Sequence, residues 1–351
     1  PGNLRIAGAV HVDIRKAQLA IPRLNLALGA LQARLSGTLA RRGGRPAVDL
    51  ELSMPPTPCQ AALASLPRGL TPKLEGMALS GSLGAQARLR LDPARPIDEG
   101  QVAFRFAPLG CRVRVDPPRA NVRALRRSGA AARVVGRDGR RHALALDGGN
   151  PFFVPMGRIS RHVRHAFVAA EDQRFFRHDG FDKEQLQRAF LRNLAEGRFG
   201  RGASTISQQL VKNLFLDHRR TISRKLQEAV LTWRMEQVLS KRRILELYLN
   251  IVEMGPGVHG VEQAAKRYFA SSARKLDPLQ AAHLAALTPS PRPLAQRFRH
   301  RQPGRAWHQR LHRVLRQMRF AGWLSKGTVA RLTKRQLKLR IDARASRLAA
   351  K

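Results

Sequence analysis

The spacing of apolar residues changes once along this chain, and that change restricts the fold more than any other feature. Up to about residue 117 apolar side chains alternate with period two, in Leu4-x-Ile6, Val10-x-Val12-x-Ile14, Leu24-x-Leu26-x-Leu28, Leu50-x-Leu52 and Val102-x-Phe104-x-Phe106. Alternation places these side chains on one side of the strands, so the stretch reads as an antiparallel sheet with one apolar face. Glycines and prolines punctuate it, and in GTLARRGGRPAVDLEL a basic glycine turn joins two strands. Beyond about residue 150 the repeat becomes helical, through Ala229, Val230, Trp233, Met235 and Val238 and then Ile244, Leu245, Tyr248, Leu249 and Ile251. The expected fold class is therefore α+β. A β-rich domain covers 1–117, a linker with a hairpin around RDGR covers 118–150, a mainly α-helical domain covers 151–325, and a basic helix and tail end the chain at 326–351.

The polar chemistry is concentrated in the helical part, from Glu171 to Glu228. It opens with EDQRFFRHDG, continues through GASTISQQLVKN at 202–213 and closes with RTISRKLQE at 220–228. The apolar string from Ala166 to Ala170 precedes Glu171, so this acid stands where a buried helical segment meets polar sequence, a desolvated setting that suits a general base. Gly202, Ala203, Ser204 and Thr205 read as a loop running into an N-cap, with Ile206, Leu210, Val211 and Leu214 as the apolar face of the next helix. On that helix Gln208 and Lys212 share a face, with Gln209 and Asn213 beside them. Arg220, Arg224 and Glu228 recur every four residues, which predicts one helical stripe carrying two guanidinium groups and a second acid. Alone, such a stripe is most often a solvated face with weak ion pairs. Beside the two preceding strings it suits holding a diphosphate and attending to its departure.

With SKRRILELYLN at 240–250, these strings resemble, in order and spacing, the successive motifs of the family 51 glycosyltransferases, the peptidoglycan polymerases found alone or fused to penicillin-binding transpeptidases. The likeness runs over about residues 150–325, and Arg313-Val314-Leu315 resembles the loose fifth motif. It implies a lysozyme-like helical domain that polymerises lipid II into β-1,4-linked glycan strands by inverting transfer, with release of undecaprenyl diphosphate. Matched position by position, it implies that Glu171 deprotonates the acceptor 4-hydroxyl, with Asp172, Arg174, Phe175 and His178 completing the first motif, and that Glu228 assists the leaving diphosphate. Ser204, Thr205, Gln208, Gln209, Lys212 and Asn213 match the second motif, and Lys212, Arg220 and Arg224 fall where family members meet the lipid diphosphate. Lys225, Glu246, Tyr248 and Asn250 look like scaffold. Ala203 and Ser207 stand where the family often has glycine and threonine. The expected cofactor is a divalent cation, magnesium or manganese, with Glu228 as its one candidate ligand, and no organic cofactor is expected. Two rivals are a lysozyme-type lytic enzyme, which the basic stripe opposes, and an inactive envelope scaffold that binds lipid or cell-wall partners.

Charge bears on location and partners. Lys and Arg number 65 against 24 Asp and Glu, a formal net charge of +41, which asks for an anionic partner. No zinc spacing or recognition string is present and aromatics make up 5% of residues, so stacking platforms for bases are scarce and no specific nucleic acid is expected. An anionic membrane surface fits, beside the plainer reading that arginine richness reflects a GC-rich genome. No run reaches the roughly 18 to 20 apolar residues of a membrane span. The chain opens at Pro1 and reads as a trimmed fragment with any export signal or anchor upstream, and the resemblance implies a place at the outer, periplasmic face of a bacterial inner membrane. Lipid II, the growing glycan chain and cell-wall synthesis proteins are the partners this implies. The β part faintly resembles the AsmA-like lipid-handling proteins of bacterial envelopes, with an ordinary supporting β-domain as the plainer alternative. Cys59 and Cys111 form one disulfide in an exported protein or are buried free thiols. Ser272-Ala273-Arg274-Lys275 fits a Ser-x-x-Lys nucleophile, but no SDN-like or KTG element follows, so a monofunctional glycosyltransferase is expected. After Pro293 come two basic amphipathic helices whose Trp307, Leu311, Val314, Met318 and Trp323 close the core or lie on lipid, with core packing preferred.

Overall fold

The computed structural model describes residues 3–92, 102–107, 110–127, 131–136, 139, 141–196, 204–289, 291, 293–294, 298 and 303–340. In chain order the strands are β1 (Leu4–Asp13), β2 (Gln18–Leu28), β3 (Leu31–Arg42), β4 (Arg45–Pro58), β5 (Ala78–Ser80), β6 (Ser82–Leu91), β7 (Val102–Ala107), β8 (Arg112–Val115), β9 (Ala131–Val135), β10 (Arg141–Ala145), β11 (Glu253–Gly255) and β12 (Val258–His259). The α-helices are α1 (Cys59–Ala64), α2 (Arg161–Glu171), α3 (Lys183–Glu196), α4 (Ile206–Phe215), α5 (Ile222–Val238), α6 (Lys241–Ile251), α7 (Val261–Phe269), α8 (Pro278–Leu287), α9 (Arg305–Phe320) and α10 (Lys326–Lys334). The fold is α+β, and the chain divides into two compact units. One is Pro1–Asn121 with Lys183–Ala203; the other is Val122–Asp182 with Ser204–Lys351.

In the first unit, six strands form an antiparallel sheet in the order β1-β2-β3-β4-β6-β7. The alternation of the sequence becomes an apolar row, because Val12, Leu19, Leu39, Val48 and Leu91 are successive cross-strand partners. Leu24 lies five residues from Leu19, an odd spacing that would put it on the opposite face of a regular strand. The register of β2 shifts against both neighbours around Pro22, and this extra residue returns Leu24 to the face of Leu19. Proline lacks the N–H a ladder needs, so it is tolerated at such a bulge. Gly43 and Gly44 close the β3–β4 turn with φ of 56° and 77°, the positive values a two-residue hairpin turn requires. Phe190 and Leu191 of α3 pack against Val48, Leu89 and Leu91, so this helix, expected within the helical domain, clusters with the sheet. A disulfide joins Cys59 at the start of α1 to Cys111 just before β8, which settles the alternative the sequence left open.

In the second unit the expected hairpin between 118 and 150 is present as β9 paired with β10, and it clusters with the helices. Helix α8 is apolar all round, with every residue from Ala281 to Leu287 buried, which suits a helix at the centre of a core. Asp277 and Gln280 form a capping box at its N-terminus. The rings of Tyr268, Phe269, Phe298 and Trp307 surround His283. Trp307, Leu311, Val314 and Met318 of α9 are buried, so these side chains close the core, while Trp323 stacks on His165 at 4.5 Å. No helix among the described residues is long and apolar enough to cross a membrane. The expected tail falls in part, at 341–351, outside the described residues.

Candidate functional site

Ser160 caps α2 through His162 N–H, and Val163, Ala166, Phe167, Val168 and Ala169 bury its apolar face, so the helix delivers Glu171 at its last turn. The carboxylate is half-buried and both oxygens accept hydrogen bonds. Gln209 Nε2 donates to Oε2 at 2.8 Å, and the Thr288 hydroxyl donates to Oε1. Gln209 is itself fixed by Tyr248, whose hydroxyl donates to Gln209 Oε1 at 3.1 Å. An open cleft beside this group is lined by Gln209, Lys212, Asn213, His218 and Thr288. Arg310 of α9 lies close enough to feel the charge of Glu171. Burial, and then Arg313, hold its guanidinium pKa below the usual value, while Glu171 opposes that shift.

The rest of the first motif performs a different task. Asp172 is buried, with His178 Nε2 at 3.0 and 3.1 Å from its two oxygens and Ile206 N–H donating to Oδ2 at 3.0 Å. Gly180 N–H donates to His178 Nδ1 at 3.1 Å, which leaves the ring hydrogen on Nε2, facing Asp172. Gly180 has φ of 89°, and a Cβ there would stand 2.8 Å from Thr232 Cγ2, so the turn requires glycine. Its carbonyl accepts from Thr205 Oγ1 at 2.7 Å. Asp172 and His178 therefore fasten the first motif to the start of α4. Phe175 is fully buried under the Lys241 ammonium, 4.6 Å from its ring centre. Arg174 reaches Asp182 at 3.6 Å.

The second motif divides similarly. Thr205 is the N-cap of α4 and forms a reciprocal capping box with Gln208, so both are buried in structural bonds. Ser207 donates to Glu236, which Lys241 also meets at 2.8 Å. Gln209, Lys212 and Asn213 are the members that reach the cleft. Ser204 is half-buried just ahead of the cap, and Gly202 and Ala203 lie outside the described residues.

Glu228 lies in a second group on α5. Its side chain is 3% exposed, with Arg224 Nη1 on Oε2 and Lys225 Nζ on Oε1 at 2.5 Å. Arg224 Nε also donates to the Arg219 carbonyl at 2.5 Å. The expected stripe is only partly helical. Thr221 is the N-cap, accepting from Arg224 N–H at 3.1 Å, so Arg220 stands ahead of the helix and is exposed. With both Glu228 oxygens held by cationic side chains, and no group of three or more His, Cys, Asp or Glu suited to a metal among the described residues, the donors do not fit a protein-held divalent cation.

Sequence reasoning missed Thr288, while Lys225 and Tyr248, expected as scaffold, hold Glu228 and Gln209. Tyr248 carried a signal, since a buried tyrosine hydroxyl needs a partner. Glu246 and Asn250 match the scaffold expectation: Glu246 accepts from Met156 N–H at 2.7 Å, and the Asn250 amide bridges both backbone groups of Val154.

A family model described as Transglycosylase matches residues 141–319. Similar curated proteins include the biosynthetic peptidoglycan transglycosylase of Methylobacillus flagellatus, 52% identical over 140 residues that cover 40% of this chain and 61% of the relative. The protein of the same name from Aromatoleum aromaticum is 52% identical over 146 residues, covering 42% and 64%. That from Nitrosospira multiformis is 52% identical over 140 residues, covering 40% and 61%. The chain thus spans less than two thirds of these relatives' length.

Proposed function

Since the chain belongs to the transglycosylase family, we propose that it is a monofunctional peptidoglycan glycosyltransferase that polymerises lipid II at the bacterial cell envelope. The observation that carries this reading is a carboxylate at a helix end, held by two donors beside a cleft whose wall supplies an ammonium and two amides. Glu171 takes the proton of the acceptor 4-hydroxyl as that oxygen attacks the anomeric carbon of the donor strand. The new carbon–oxygen bond forms opposite the breaking one, so configuration inverts, and the electron pair leaves on the undecaprenyl diphosphate. Lys212, Arg220 and Arg224 offset the charge that grows on the leaving group, and Glu228 holds Arg224 and Lys225 in place.

The disulfide supports placement in an oxidising compartment, which agrees with action at the outer face of the inner membrane. The net charge of +41 supports attraction to anionic lipid headgroups there.

The test is polymerisation of lipid II by the purified chain in detergent, with Glu171→Gln and Glu228→Gln alongside. Wild type is expected to make glycan strands, and each variant to lose about a hundred-fold or more in rate while keeping its helical circular dichroism. A folded wild type that leaves lipid II untouched while the sheet captures lipid would sink the polymerase reading in favour of an inactive envelope scaffold.

A further inference from the structure

Thr288 follows α8, which is separated from α2 by more than a hundred residues of chain, yet its hydroxyl meets the carboxylate of Glu171 directly. The hydroxyl has one hydrogen and reaches both Glu171 Oε1 and the Ala285 carbonyl, the latter at 2.8 Å. That carbonyl also receives Thr288 N–H at 3.4 Å, so it is not orphaned when the hydroxyl turns away. The hydroxyl can therefore donate to Glu171 while the carboxylate is ionised. Once Glu171 carries a proton, the same hydroxyl can turn its hydrogen to Ala285 and accept from the acid instead. Gln209 cannot match this, because its Nε2 only donates and its Oε1 is held by Tyr248.

We infer that Thr288 is a positioning residue for Glu171, a rotating hydroxyl that keeps the base in one orientation both before and after it takes the acceptor's proton. The inference rests on the glycosyltransferase reading for its catalytic consequence, while the positioning itself is a property of the free protein. Thr288 also lines the cleft with Gln209, so the two hold the carboxylate from opposite oxygens at the cleft wall.

The experiment compares Thr288→Val, which keeps the shape and removes the hydroxyl, with Thr288→Ser, which restores it, in the full chain. Lipid II polymerisation is measured as kcat and KM, and the side-chain order of Glu171 is measured without substrate by carbon relaxation. Thr288→Val is expected to lower kcat about ten-fold or more with KM nearly unchanged, the loss of one hydrogen bond to a charged group, and to loosen Glu171. Thr288→Ser is expected to recover most of both. Wild-type kcat together with unchanged order at Glu171 in Thr288→Val would overturn the inference. If wild type itself is inert, the glycosyltransferase reading falls, and the order of Glu171 in the two variants still decides the positioning role.

Discussion

Asp172 and His178 sit in the middle of the first motif, and neither is free to meet a sugar. Asp172 accepts from a ring N–H and a backbone N–H inside the protein, so replacing it with alanine leaves two buried donors unserved. Asp172→Ala is expected to cost about 3 kcal/mol or more, seen as a lower urea midpoint, while KM for lipid II stays near wild type at a temperature where the variant is folded. A large rise in KM with unchanged stability would return Asp172 to the substrate. The placement of Glu171 at the end of a buried helical run was legible in the sequence, because the apolar string before it is local. Its partner Thr288 was not, since nothing in a threonine after an apolar helix tells which carboxylate it will meet.

At the scale of elements, α8 and its surroundings make a pH-dependent contribution to stability. Burial, and then the charge of His308, push the His283 pKa down to about 3. In the unfolded chain an imidazole titrates near about 6.5. The folded value is the lower one, so the stabilisation is complete above the unfolded value and is lost as pH falls from there toward about 3, with a limiting slope of about 1.4 kcal/mol per pH unit. Stability to urea at pH 7, 5 and 4 is expected to fall at least this steeply, since His162, His165 and His312 are shifted down as well, and to fall less steeply in His283→Gln than in wild type. An unchanged slope in the variant would mean that other groups take up the proton. The capping box of α4 could be read from Thr205 and Gln208 by spacing alone. Arg220 shows the opposite case, where a four-residue repeat suggested a helix that the Thr221 cap starts two residues later. The bulge at Pro22 likewise hid the shared face of Leu19 and Leu24 behind an odd spacing.

For the whole molecule, the disulfide closes a stretch with a sequence separation of 52 and so restricts the unfolded chain. Replacing Cys59 and Cys111 together by serine is expected to lower the stability of the first unit by about 2 to 4 kcal/mol, measured as faster hydrogen exchange in β6 and β8. Unchanged exchange would show that the native contacts of the sheet suffice. The order of a β-rich part before a helical part follows from sequence alone, because the period of apolar residues is a local property that each segment expresses wherever it folds. The acids, amides and cations proposed for the chemistry were likewise set out by the sequence. Which of them face the cleft was decided only by the tertiary structure. Asp172 turns inward because the buried Ile206 N–H must find an acceptor, and Glu171 meets Gln209 and Thr288, with Gln209 held in turn by Tyr248, only when distant helices pack. Hydrogen-bond partners so far apart along the chain leave no periodic trace in it, so packing alone selects them.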